Sequence, residues 1–382
     1  MTKFYKCVRV LDIMAEKMKV TPWEVEGELD YDKLVKEFGT TLIPEEMRQR
    51  LKDTHPLLRR GIYFSHRDFD KWLEAYDKGK KVSVITGRGP SEKMHIGHLV
   101  PFLVAKSLQD EFNCDVFIPI SDDEKFYIKE KLTFDQAIEY SMDNIIDLIA
   151  LGFKPGKTFI FEDFVYTDIY KYAARIAKRI TYSTAKAAFG LKPESNIGWG
   201  FYPAMQAAHI LFPQFYTKKK HISVVPVAID QDPFIRLTRD VAGHKDFDLV
   251  KPAGLHAKFI PSLYGGAKMS SSKEGVILLS DSPKEVERKI KKYAFSGGRD
   301  TIEEHRKKGG NPDIDVSFQY LKTIFEPDDK KLKKVEEDYR SGKLLSGELK
   351  QILIDKINAF LKEHKKKREE AKKRVGDFLI KI

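Results

Sequence analysis

Short apolar runs separated by amphipathic stretches set the rhythm of the middle of the chain. Val82–Thr86, Val116–Ile120, Thr158–Phe161, Ile222–Ile229 and Val276–Leu279 are too short for buried helices and read as strands. Helical patterns lie between them. One covers Leu99–Glu111; another starts at Thr133, where Gln136 completes a capping box, and runs to Leu151 before Gly152. Apolar strands alternating with helices predict an α/β fold, a parallel sheet covered on both faces. Ligands of such sheets lie at the carboxyl ends of the strands. The exits at Thr86, Ser121 and Asp230 are therefore expected to meet in one site.

The flanks follow other patterns. Residues 1–80 form an N-terminal region. It holds a short helix Tyr31–Phe38 ended by Gly39, and a second at Pro44–Leu51 with Pro44 in its first position. Arg59–Asp68 is dense in aromatic and basic groups, and Ser65 or Asp68 can cap a helix to Tyr76. Ser282-Pro283-Lys284-Glu285 is a helix start, with cap, proline and a glutamate three positions after the cap. Beyond it Leu349, Leu353, Ile357, Phe360, Leu361, Val375 and Leu379 keep helical spacing, so a boundary is expected near Ser280–Pro283.

Composition narrows the class. At 42% hydrophobic the 382 residues can bury a core, which excludes a disordered protein. No run of about 18 apolar residues suggests a membrane span, and Met1–Val20 lacks the apolar core of a secretory signal. Two distant cysteines, Cys7 and Cys114, suit a reducing cytoplasm and supply neither a zinc site nor an iron–sulfur cluster. The net charge is +11, and from Pro283 onward 27 basic residues face 19 acidic ones. That asymmetry suits a nucleic-acid partner, or a solvated lysine-rich surface.

Four stretches can carry chemistry. The first runs from Lys81 to Leu99: a strand, a glycine turn, then His95-Ile96-Gly97-His98 opening a helix. Such a turn presents backbone N–H groups to an anion, and the two imidazoles add donors. A metal pair or two packed rings are the alternatives. The second, Gly265–Lys273, holds Lys268 and three consecutive hydroxyls, as suits a loop closing over a polyphosphate or an ordinary polar loop. The third, Ser121–Lys125, offers carboxylates to an ammonium group or Mg²⁺, or is a solvated turn. The fourth is Ala228–Pro233, with Gln206 on a neighbouring segment; each glutamine suits a substrate contact or a core hydrogen bond.

Together these stretches resemble a known family. His95-Ile-Gly-His98, with Lys268-Met-Ser-Ser-Ser272 173 positions later, looks like the HIGH and KMSKS signatures of class I aminoacyl-tRNA synthetases. Thr86–Ser91, Ser121–Lys125, Ala228–Pro233 and Ala294–Asp300 resemble the tryptophanyl-tRNA synthetase family, and Thr21-Pro22-Trp23 with Arg60–Asp68 its archaeal and eukaryotic branch. The likeness runs from about Val20 to the C-terminus.

The resemblance implies an N-terminal extension with an ATP-capping segment (1–80), a Rossmann-like parallel-sheet catalytic domain (81–282) and an α-helical anticodon-binding domain (283–382). It implies a cytoplasmic homodimer acting as a tryptophan–tRNA ligase on L-tryptophan, ATP with Mg²⁺ and tRNA(Trp), with no metal held by protein side chains. By position, His95 and His98 would contact phosphate or ribose-proximal oxygens. Lys268 would stabilise pyrophosphate, with Ser270 and Ser272 supporting the closed loop. Thr86, Gly87, Gly97, Asp230, Met269 and Trp23 would belong to the nucleotide site. Glu124, Gln206 and Gln231 match positions that hold the ammonium and backbone end of tryptophan. Ile85 and Pro119 stand where many relatives carry a tyrosine and a glutamine for the indole N–H, and neither has a side-chain acceptor. Arg299 and Asp300 match a segment near the anticodon, and Lys365–Arg368 could touch tRNA phosphates or form a solvated helix face. The rival readings are a tyrosyl-tRNA synthetase, a small-molecule adenylyltransferase, and a synthetase-like nucleic-acid-binding protein without aminoacylation.

Overall fold

The computed structural model describes residues 19–20, 25–26, 30–266 and 275–381. Trp23, Lys268, Met269, Ser270 and Ser272 lie outside the described residues. A short antiparallel pair, β1 (Lys19–Val20) and β2 (Val25–Glu26), precedes the main sheet. That sheet is built from β3 (Thr41–Leu42), β4 (Tyr63–Arg67), β5 (Val82–Ile85), β6 (Asp115–Ile120), β7 (Thr158–Glu162), β8 (Ile222–Ala228) and β9 (Ala253–Ala257), in the order β3-β4-β9-β8-β5-β6-β7. From β9 to β7 every pairing is parallel. β4 joins antiparallel to β9, and β3 antiparallel to β4.

The period of two along the strands explains the layers. Val82, Val84, Val116, Ile118, Ile160 and Val224 belong to one apolar cluster, whereas Ile85, Phe117, Phe161 and Val225 belong to another. On the first face pack α1 (Leu99–Phe112) and α3 (Phe134–Ile149); on the second, α4 (Ile197–Thr217) and α5 (Asp232–Ala242). Between α1 and α3 lies α2 (Asp122–Ile128), directly after β6. The helical region opens with α6 (Pro283–Tyr293), capped by Ser282 accepting from the Glu285 N–H at 3.2 Å, and includes the long α7 (Ser346–Lys372).

Several expectations change. Val276–Leu279 is not a strand: beyond one bridge between Leu278 and His95 it turns away at once. Ser65 lies inside β4, and Asp68 is the cap residue of the helix Phe69–Asp77, at φ 54° and without a side-chain capping bond. The Asp68 carboxylate instead takes Arg239 at 2.7 Å and Lys71 at 3.0 Å. Pro44 precedes its helix as the cap residue. The sheet carries an antiparallel edge because β4 has its apolar aromatics, Tyr63 and Phe64, buried against β9 and the N-terminal helices.

The helices beyond Pro283 share the first-face core. Val286, Ile290, Leu349, Leu353 and Ile357 lie in the same cluster as Val84 and Ile118. His364 and Arg368 of α7 turn inward: His364 Nε2 lies 2.8 Å from Asp147, and Arg368 pairs with Asp143 at 2.6 Å and with Asp147. Only Lys365–Lys367 of that basic run are exposed. The chain then returns to the free edge of β7, where Ile160 N–H donates to Phe378 (2.8 Å) and Ile380 N–H to Ile160 (2.9 Å). No helix among the described residues is long and apolar enough to cross a membrane.

Candidate active site

The carboxyl ends of β5, β6, β8 and β9 open on a cavity of about 860 Å³. The β5 and β6 exits stay paired past the strands: Arg88 N–H donates to Pro119 (3.0 Å) and Ser121 N–H to Arg88 (2.8 Å). This closeness requires Gly87. A Cβ there would sit 2.9 Å from the Pro119 carbonyl oxygen and 3.0 Å from its Cγ. At Gly89 a Cβ would fall 2.3 Å from Glu124 Oε2, so that a larger residue there would displace the Glu124 side chain.

His95 and His98 line the cavity with their rings stacked, centroids 3.4 Å apart. The short helix they open is held by both of them. His95 Nδ1 accepts the Gly97 N–H at 3.1 Å, and His98 Nδ1 accepts the His95 N–H at 3.2 Å. Burial, with the Arg88 charge adding to it, pushes His95 down to about 3. Burial, then Arg88 and His95, holds His98 well below the usual imidazole range. Both rings are therefore neutral at pH 7, and with Nδ1 accepting, each carries its proton on Nε2. The pair offers two neutral donors. Positive charge comes from Arg88, which burial brings only to about 10 and which remains protonated, and from Lys125, which also lines the cavity and acts on His98.

The flank of the Lys268 segment reaches the same turn. Ile96 N–H donates to Ile277 (3.1 Å) and Leu279 N–H to Met94 (2.9 Å), around the Leu278–His95 bridge. The return is anchored by Lys289, whose Nζ binds the Val276 carbonyl at 2.8 Å and Asp281 at 2.6 Å. Before the segment stand Gly265 and Gly266, at φ 79° and 85°. Residues far apart in sequence thus share one backbone junction.

Glu124, Gln206 and Gln231 line the same cavity. Glu124 pairs with Lys125 at 2.6 Å. The Tyr202 hydroxyl donates to Gln206 Oε1 at 2.7 Å. Gln231 Nε2 donates to Asp230 Oδ2 at 3.1 Å. Thr86, Gly87, Gly97, Ile85 and Pro119 also line the cavity, whereas Asp230 is fully buried behind its wall. Arg299 and Asp300 are exposed and do not line it; Arg299 Nε binds the Gly309 carbonyl at 3.1 Å.

Two motifs of the sequence prove to be one structure. Arg67 of β4 binds buried Asp232, at the start of α5, at 2.8 and 3.0 Å, and His256 Nε2 lies 3.1 Å from the same carboxylate. Burial alone would raise the acid, but His256 and Arg67 outweigh it and hold Asp232 at about 2. This pair orients the Asp230-Gln231 turn.

Arg88, Tyr202 and His209 line the cavity without having been singled out from sequence. Arg88 sits between the two glycines, and His209 is three positions after Gln206, on the same helical face. Beside His209 is an acidic group in which ligand atoms of Asp122, Asp123 and Asp163 lie within 4.8 Å of one another. Burial and mutual repulsion raise Asp122 to about 7 and push Asp123 and Asp163 well up. Shared protons, rather than three charges, account for their closeness.

Comparison with known proteins agrees with this arrangement. The model of the family "tRNA synthetases class I (W and Y)" matches residues 77–362. The tryptophan–tRNA ligase of Sulfurisphaera tokodaii is 54% identical over 373 residues, 96% of each chain. That of Pyrococcus horikoshii is 48% identical over 96% of this chain and 94% of its own. The tryptophanyl-tRNA synthetase structure from Giardia lamblia superposes with a TM-score of 0.85 at 36% identity, over 92% of this chain and 96% of that one. The structure from the archaeon Aeropyrum pernix gives 0.84 at 34%, with the same coverage. With its histidine turn, its paired strand exits and these relatives along nearly its whole length, the chain belongs to the class I tRNA synthetases of the tryptophan and tyrosine type, within the tryptophanyl-tRNA synthetase family.

Proposed function

We propose that this cavity activates L-tryptophan with ATP and then passes the acyl group to tRNA(Trp). The observation that carries the reading is the junction of the His95–His98 turn with the Ile277–Leu279 flank, in one cavity with Glu124, Gln206 and Gln231. In the first step the tryptophan carboxylate oxygen bonds to the α-phosphorus of ATP, and the bond from that phosphorus to the bridging oxygen breaks, releasing pyrophosphate. The neutral Nε2–H groups of His95 and His98 donate to phosphate oxygens as charge gathers there, and Arg88 adds a fixed positive charge. Thr86, Gly87 and Gly97 let the nucleotide approach the backbone closely. Lys268, by its place in the motif, takes the leaving pyrophosphate, with Met269, Ser270 and Ser272 in the same segment, and Trp23 belongs to the ATP-capping segment by its place in the sequence. Asp230 supports the site through Gln231. Mg²⁺ arrives with the ATP phosphates as part of the substrate. In the second step a ribose hydroxyl at the tRNA end attacks the acyl carbon and AMP leaves.

Glu124 and Gln231 take the tryptophan ammonium, and Gln206 its backbone end, with Ile85 and Pro119 against the ring. Arg299 and Asp300 are assigned to the anticodon and Lys365–Lys367 to tRNA phosphates, supported by their exposure on the helical region. The proposed assembly is a cytoplasmic homodimer. Phe126 and Phe134, exposed and in edge-to-face contact with each other, support the pairing of two copies.

Amino-acid-dependent ATP–pyrophosphate exchange tests the reading. Exchange driven by tryptophan is expected; exchange driven by tyrosine instead, or by no amino acid, overturns it.

A further inference from the structure

The indole N–H is a donor that a closed cavity must satisfy, because a buried donor left without a partner keeps its full desolvation penalty. At the β5 and β6 exits, Ile85 and Pro119 present only apolar side chains to the cavity. Of the polar groups that line the cavity, Glu124, Gln206 and Gln231 are assigned to the ammonium and backbone end of tryptophan, and His95 and His98 to phosphate oxygens.

His209 is different. It stands on α4 one turn past Gln206, lines the same cavity and is 2% exposed. Its ring lies between the cavity and the end of β7, 6.1 Å from the Phe161 ring between centroids. Its Nε2 is 2.7 Å from Oδ1 of fully buried Asp163. No hydrogen bond among the described residues engages its Nδ1.

The acid fixes which nitrogen carries the proton. Asp163 Oδ2 and Asp123 Oδ1 are both buried without a conventional donor, and their carboxyl groups lie together. One proton shared between those two oxygens satisfies both, and it leaves Asp163 Oδ1 as an acceptor. His209 Nε2 therefore donates to Asp163, and Nδ1 keeps its lone pair. Burial pushes the His209 imidazole down to about 4, although Asp123, Glu124 and Asp122 pull the other way, so the lone pair persists at neutral pH.

We propose that His209, its ring oriented and its tautomer set by Asp163, accepts the indole N–H of tryptophan through Nδ1 and is the specificity-determining residue of this cavity. Asp163 is a positioning residue that acts through His209. The inference rests on the tryptophan reading of the cavity and adds the group that reads the ring nitrogen. A site built to bind a substrate N–H rejects an analogue lacking it far more strongly than a purely apolar slot does.

The test is ATP–pyrophosphate exchange on the full chain with two amino acids: tryptophan, and 3-(3-benzothienyl)alanine, in which sulfur replaces the indole N–H in a ring of nearly the same shape. The unmodified protein is expected to favour tryptophan in kcat/KM by at least about a hundredfold. His209→Leu should cut that preference tenfold or more, chiefly by raising KM for tryptophan, with a far smaller change for the analogue. His209→Gln, which keeps an acceptor, should retain more of the preference than His209→Leu. Asp163→Asn can present its amide N–H₂ to Nε2 and force the proton onto Nδ1; it too should lower the preference. An unchanged preference in His209→Leu overturns the proposal, as does an unchanged preference in His209→Gln and Asp163→Asn together should the leucine variant not fold. A protein that exchanges with tyrosine and not tryptophan fails at the earlier step, and that outcome rejects the tryptophan reading itself.

Discussion

A histidine beside a phosphate is usually pictured as a cation, yet His95 and His98 are neutral donors. Each spends Nδ1 on a backbone N–H and keeps Nε2–H for the cavity. A neutral donor costs less to bury and still binds an oxygen whose charge grows in the transition state. The charge is left to Arg88 and Lys125. It follows that His98→Ala should slow adenylate formation by about 100- to 1,000-fold, the effect of removing one transition-state donor. KM for tryptophan should change little, because Glu124, Gln206 and Gln231 are untouched. Single-turnover adenylate formation measures this, and a rate within threefold of the parent's removes His98 from the chemistry. The two histidines and their glycines are legible in the sequence because residue type and spacing name the chemistry. Their protonation state is not. It depends on burial and on Arg88, which only the folded chain brings to within reach. His209 was hidden for a similar reason. A lone histidine three positions from a glutamine says nothing until Asp163, 46 residues away, is seen to hold it.

At the level of strands and helices, legibility followed composition. The runs at Val82, Val116, Thr158 and Ile222 are rich in valine, isoleucine and phenylalanine, and all four are strands. β9 reads Ala-Gly-Leu-His-Ala and has no such signature; its strand character comes from neighbours on both sides. Val276–Leu279 has the signature and is not a strand, since its backbone serves the His95 turn instead. The end of β7 shows what a site costs the element that carries it. Burial, then the Asp122 charge, raises Glu162 from 4.5 to about 7. Below pH 4.5 the acid is protonated whether folded or not, so it contributes nothing to the pH dependence. Between 4.5 and 7 the unfolded chain releases the proton and the folded chain holds it. Stability should fall through that window and then stay lower, by an amount of about 3 kcal/mol at most. Glu162→Gln should thus be more stable than its parent at pH 8, by about 1–3 kcal/mol, and equal to it at pH 4. Urea unfolding at the two pH values decides; a gain of the same size at both would mean the charge is not its source.

Over the whole molecule, the change of pattern at Pro283 marks a change of architecture without a break in the core. Leucines and isoleucines of α6 and α7 pack in one cluster with the strands. The ion pairs of Arg368 and His364 with Asp143 and Asp147 fasten α7 to α3, and Phe378–Ile380 cover the edge of β7. An edge strand left open invites pairing with another chain, so this return also protects the sheet. The catalytic layer and the basic helical region, proposed to hold the two ends of one tRNA, are therefore expected to move and unfold as one body. Arg368→Ala tests this. It leaves Asp147, 3% exposed, with His364 as its remaining partner. Removing one partner of such a buried pair costs about 3 kcal/mol. If the two regions share one core, the loss must appear as a lower midpoint of a single calorimetric transition, with tryptophan activation and melting of the helices falling at the same temperature. If instead α6 and α7 melt first while activation persists, the helical region is a separate unit and the clamp serves only to dock it.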